Sequence, residues 1–197
     1  LLSAGRGGQD DVCEFLLLKR LGGTTTPEDD DLILGRALVN AASGNHLSTV
    51  RLLLEHRADI CFEDELYHDL VIPPGLRTSR TSLAVAAANG HVDLVRFLLG
   101  WEDSERLRLC SHEALPHASG RGHAEIVRLL LEFGAPPLAI PSWAGMNSMC
   151  LAITRGKTKV ISTMLEFNVD VNVTTRNEFW TPLMYAAHEG LLETVKL

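Results

Sequence analysis

Three groups of residues in this chain have types and spacing that could do chemistry. Gly156-Lys157-Thr158 matches the end of a phosphate-cradling loop, in which backbone amides and a lysine hold phosphate oxygens. That loop also needs a glycine five residues before Gly156, where Leu151 stands, and a strand ahead of it. The reading is rejected, and Gly5, Gly7 and Gly8 do not form G-x-G-x-x-G either. Histidine is the second group. His56, His68, His112, His117 and His188 show no spacing typical of zinc ligands. The third is the acidic run Glu28-Asp29-Asp30-Asp31. It could gather a cation, but after Thr26-Pro27 it reads as a solvated run that helps to start a helix. No serine or cysteine sits in a nucleophile elbow. Cys13, Cys61, Cys110 and Cys150 stand far apart with no C-x-x-C, which reads as four reduced thiols, with Cys13 packed as core. The chain is therefore expected to have no catalytic site, no cofactor and no metal.

Eighteen Lys plus Arg face twenty-five Asp plus Glu, a formal net charge of −7. That balance argues against sequence-independent binding to nucleic acid or an anionic membrane, both of which need a basic footprint. No apolar run approaches the roughly 20 residues of a membrane span, and no signal-peptide pattern opens the chain. An intracellular location, cytoplasmic or nuclear, is expected. The first residue is Leu1 and the last, Leu197, falls partway through a helical pattern, so an excerpt of a longer protein is expected.

The elements that must position any functional residue are easiest to read in residues 81–99. Thr81 can cap a helix in which Leu83, Ala86 and Ala87 share one face at i, i+3, i+4 spacing. Gly90 stops that helix, because a left-handed residue costs glycine no Cβ clash. A second helix follows, with Asp93 near its start and Leu94, Val95, Phe97, Leu98 and Leu99 along it. Its apolar surface is too wide for one partner, so the pair needs a like neighbour on each side. The neighbours recur in 113–131 and 181–197. A glycine, or the left-handed-tolerant Asn45, separates paired helices at 8, 45, 90, 122, 156 and 190.

Thr181-Pro182-Leu183-Met184-Tyr185-Ala186 resembles the ankyrin-repeat signature T-P-L-H-x-A except at the His, and the spacing resembles that family's period of about 33 residues. The resemblance implies an all-α fold, an ankyrin-repeat solenoid of stacked helix-turn-helix units with finger loops. A single array over 1–197 is expected, with repeats near 1–21, 32–57, 81–99, 113–135, 147–170 and 181–197 and insertions at 22–31 and 58–80. His46, His91 and His123 then take the family's turn position as structural hydrogen-bonders. The stretch 58–80 reads as an enlarged acidic finger, either a contact arm or disordered in the free chain. Between 100 and 112 the usual turn is missing, so a finger there is either lost or replaced by a helical turn. Pro116 is expected in the first turn of its helix.

The resemblance also implies that the chain binds another protein, through its fingers and the exposed edge of its first helices. Two columns of residues map there. One precedes the helix-capping position: Gly35, Arg80, His112, Met146 and Trp180. The other precedes the turn glycine: Ser43-Gly44, Ala88-Asn89, Gly120-Arg121, Thr154-Arg155 and His188-Glu189. The candidate contact residues are Arg80, Asn89, His112, Arg121, Met146, Arg155, Trp180, His188 and Glu189, with Tyr67 in the enlarged finger. Arg121 and Arg155 fall in successive repeats and should form a basic strip suited to an acidic or C-terminal carboxylate segment. Two alternatives remain: a substrate-recruiting or regulatory arm of a larger multidomain enzyme, or an enzyme with its site in the concave groove.

Overall fold

The computed structural model describes residues 1–13, 27–63, 81–101, 104–138, 146–175 and 180–196, without the side chains of 27–29, 104–106 and 109–110. The expectations for Tyr67, Arg80 and most of the enlarged finger lie outside the described residues. Every described element is helical: α1 (Leu2–Arg6), α2 (Pro27–Ser43), α3 (Leu47–Glu55), α4 (Ser82–Asn89), α5 (Val92–Leu99), α6 (Ser104–Arg121), α7 (Ala124–Phe133), α8 (Ser148–Thr154), α9 (Thr158–Glu166), α10 (Pro182–His188) and α11 (Leu192–Val195). None of them is long and apolar enough to cross a membrane. The chain forms two compact units, 1–86 and 87–197, and the boundary falls within α4.

In the first unit, α1 packs on α2 and α2 on α3, around the fully buried Leu38, Val39, Leu53 and Leu83. Cys13 is buried, as its core assignment anticipates, and Val12 beside it is exposed. The Ser82 hydroxyl donates to the Ile60 carbonyl at 3.2 Å, fixing the entry to α4. In the second unit, first helices stack on first helices (α6 on α8, α8 on α10) and second helices on second helices (α5 on α7, α7 on α9). Leu94, Leu98, Leu115, Ile126, Leu130, Met149 and Met164 form the buried seam between these layers.

The turn residues behave as their spacing implies. Gly8, Asn45, Gly90, Gly122, Gly156 and Gly190 all have φ between 61° and 88°. The left-handed residue lets the amide that follows it fold back onto a carbonyl near the helix end. Gln9 thus donates to Ala4, His46 to Ala41, His123 to Ala118, Lys157 to Ala152 and Leu191 to Ala186, at 2.8–3.1 Å. The acceptor is alanine each time, which leaves room for the returning chain. A second series, not read from the sequence, closes the second helices: Arg57, Gly134 and Asn168 are also left-handed. Behind them Ala58 donates to Leu53, Ala135 to Leu130 and Val169 to Met164.

Helix starts follow the capping residues. Thr81 Oγ1 accepts from the Ala84 amide at 3.1 Å. Asn147 Oδ1 accepts from Cys150 at 2.9 Å, and Thr181 Oγ1 from Met184 at 3.3 Å.

Three local expectations need correction. α2 starts at Pro27, so the acidic run 28–31 begins that helix, as Thr26-Pro27 implies, and the repeat drawn from 32 takes in that run. α6 starts at Ser104, replacing the absent finger with continuous helix, and Pro116 sits in its interior rather than its first turn. There it withholds the amide that would bond the carbonyl four residues back. Cys13 and Cys150 are free thiols, but Cys61 is disulfide-bonded, so the four cysteines are not all reduced.

Candidate functional site

The two columns expected to meet a partner fare differently. The column before the capping position is broken by the lengthened first helices. Gly35 lies inside α2 and His112 inside α6 rather than on fingers, because each helix extends back through the place where the finger would be. Gly35 also has a packing role: a Cβ there would run into the Phe62 ring. Met146 is half-buried just ahead of α8. Trp180 is half-buried, with its ring centroid 5.1 Å from those of Tyr185 and His188. Aromatic pairs at such separations favour tilted or edge-on geometry, as found here.

The column before the turn glycine is held together in the second unit. The C-terminal ends of α4 and α6 each present a carbonyl, and the next repeat reaches back to it. Arg121 Nη1 donates to the Ala88 carbonyl at 2.9 Å and to Asn89 Oδ1 at 3.1 Å. Arg155 Nη1 donates to the Gly120 carbonyl at a longer 3.4 Å. His123 Nε2 also meets the Ala88 carbonyl, at 3.1 Å, and in the first unit His46 Nε2 meets the Arg6 carbonyl at 3.0 Å. A cation or N–H donor suits a helix C-terminus, where carbonyls lack intrahelical partners. At the far end His188 Nδ1 lies 3.4 Å from Glu189 Oε1, both side chains being largely exposed.

Two glycines admit these contacts. A Cβ at Gly120 would come 3.0 Å from Arg155 Nη1, and one at Gly122 would come 2.9 Å from Lys157 Cδ. Lys157 therefore takes in repeat five the position that His123 takes over Gly90 in repeat four. The sequence pattern marked both as turn residues but carried no signal that the side chain after one turn covers the glycine of the preceding one. Burial holds the His123 imidazole below its usual pKa. The bond to Ala88 opposes that shift, and the charges of Arg121, His91 and Lys157 add to it.

Burial argues against chemistry at the free thiols Cys13 and Cys150. Burial pushes the Cys150 thiol up to about 11 and raises Cys13 as well, which suppresses the thiolate that reactions require. Among the described residues no cluster of His, Cys, Asp and Glu could hold a metal ion. A cavity of about 280 Å³ opens between α8–α9 and α10–α11, lined chiefly by apolar groups including Met149, Ile161, Leu165, Leu183 and Val195.

Comparison with known proteins accounts for this architecture. The family model described as ankyrin repeats (3 copies) matches residues 1–106, 63–141, 83–175 and 115–197. Ankyrin repeat and KH domain-containing protein mask-1 of Caenorhabditis elegans is 30% identical over 169 residues, covering 85% of this chain and 6% of its own length. Ankyrin repeat and SOCS box protein 16 of Homo sapiens is 31% identical over 120 residues, covering 60% of this chain and 26% of its own. The chain thus spans a small part of each of these relatives.

Proposed function

The chain belongs to the ankyrin-repeat family, and from that premise we propose that it is a non-catalytic protein-interaction scaffold whose partner meets the turn ends of the first helices. Ankyrin repeats generally mediate protein–protein interaction. The observation that carries the reading is the register of Asn89, Arg121 and Arg155. Each stands at the same place in its repeat, and the two arginines are tied to the preceding helix end through its carbonyls. Such anchoring fixes exposed polar groups in advance, so that little side-chain freedom is lost on binding. His188 and Glu189 continue the column, and Trp180 lies beside His188; Met146, His112, Arg80 and Tyr67 are proposed as separate contacts.

The partner chemistry follows from charge. The protein carries −7 overall, yet this column holds two successive arginines. An acidic or C-terminal carboxylate segment would be attracted there, while the rest of the surface, acidic on balance, would repel it. A regulatory or recruiting role beside an enzyme in a longer polypeptide agrees with the same contact surface. Photo-reactive residues placed at Asn89, Arg155 and His188, and for comparison at Arg96, Glu132 and Glu166 on the second helices, test the location. Adducts to another protein should form from the first set. Adducts confined to the second set would move the interface to the opposite helices.

A further inference from the structure

We infer that the turn of repeat four, where Arg155 and Lys157 are laid across Gly120 and Gly122, receives a phosphoryl group on the partner segment; this rests on the interaction reading above and specifies its anchor. Gly122 is left-handed, so its glycine has a backbone reason. Gly120 does not have a left-handed backbone. It lies within α6, where glycine is less favourable than alanine. The structural use of that glycine is the close approach of Arg155, whose Nη1 would stand 3.0 Å from an added Cβ. Lys157 runs over Gly122 with Cδ 2.9 Å and Cε 3.5 Å from an added Cβ. Arg121, between these two glycines in sequence, brings a third positive charge, and its Nη1 is already anchored on Ala88 and Asn89.

Among the described residues neither Arg155 nor Lys157 has a carboxylate partner, in contrast to Arg96 on Glu125 and Arg128 on Glu166. The nearest acid of the same column, Glu189, is turned to His188, and Glu125, which follows this turn on α7, is engaged by Arg96. Burial is the main cause of the lowered pKa of His123, and the charges of Arg121 and Lys157 add to it. A carboxylate offers one negative charge and two oxygens. A phosphomonoester offers about −1.5 to −2 and three acceptor oxygens near neutral pH. Cations arriving from three separate positions match the second better, and arginine adds a fork of donors suited to it.

The test uses the 197-residue chain and fluorescent peptide pools with degenerate flanks and a central phosphoserine, serine or glutamate, read by anisotropy. The phosphoserine pool should bind at least about tenfold more tightly than either other pool. That advantage should vanish in Arg155→Gln and in Lys157→Gln. Gly120→Ala should weaken it as well, because the added methyl displaces Arg155 without removing any charge. Circular dichroism identifies a variant that fails to fold, and the two surface glutamines serve if Gly120→Ala does. Equal binding of the phosphoserine and glutamate pools, both weakened by Arg155→Gln, would overturn the phosphoryl inference and leave the acidic-segment reading standing. Phosphoserine binding that none of the variants weakens, or no binding of any pool, would overturn both.

Discussion

The imidazole of His123 lies directly over Gly90: a Cβ added to that glycine would come 2.8 Å from His123 Cε1, while His123 Nε2 meets the Ala88 carbonyl at 3.1 Å. One residue thus closes a helix end and covers a left-handed glycine of the repeat before it. Gly156 has the same kind of backbone, with nothing within 4 Å of its added Cβ. The two glycines separate backbone strain from packing. Gly156→Ala should cost about 1–2 kcal/mol from the left-handed backbone alone. Gly90→Ala should cost about 1 kcal/mol more, because His123 must also leave its carbonyl. Urea midpoints measure both, and equal losses would show that His123 is not held by this contact.

His123 also sets a pH dependence. Its pKa is lowered in the folded chain, so the unfolded chain takes up the proton first as pH falls. The stabilising contribution is fully present above the unfolded value, about 6.5, and is lost as pH drops through the lowered folded value. His123→Gln keeps a donor but does not titrate. Its urea midpoint should therefore fall less between pH 8 and pH 5 than that of the wild type; an unchanged difference would remove His123 from the titration.

Core truncations should track burial along the second helices. Leu98 and Leu130 are fully buried, whereas Leu192 is 62% exposed. Leu98→Ala and Leu130→Ala should each cost about 2–5 kcal/mol, and Leu192→Ala within about 0.5 kcal/mol. A loss at Leu192 comparable to that at Leu130 would require a covering surface over α11.

Capping gives a further local test. Asn147 is 1% exposed, and its side chain accepts from the Cys150 amide. Asn147→Ala should cost about 0.5–2 kcal/mol, and Asn147→Asp, which keeps the acceptor, should cost less than Asn147→Ala. Equal losses would show that desolvation at this buried site outweighs the cap.

Much of the scaffold was legible because its turns need unusual backbone. Only glycine or asparagine enters the left-handed region at little cost, so Gly8, Asn45, Gly90, Gly122, Gly156 and Gly190 announced themselves. Arg57 adopts the same conformation with a residue type that gives no such signal. The length of α6 was not legible, since Pro116 resembled a helix start, whereas Thr26-Pro27 and the acidic run did mark the start of α2. The column through Gly35 and His112 was placed on fingers that are helix. The column through Asn89, Arg121 and Arg155 was legible from register. Its anchoring on Ala88 and Gly120 carbonyls was not, because those contacts lie more than thirty residues apart in sequence.

The most direct measurement of the interaction account compares two double variants in quantitative capture from cell extract. Arg121→Ala with Arg155→Ala removes the two arginines at the turn ends. Arg96→Ala with Arg128→Ala removes two arginines from the second helices, where exposed ion pairs are worth at most about 1 kcal/mol each. Proteins recovered by the wild type should be lost with the first variant, retained with the second, and released from the wild type by added salt. Full recovery with the first variant, its helical signal intact, would contradict the assignment of binding to these turn ends.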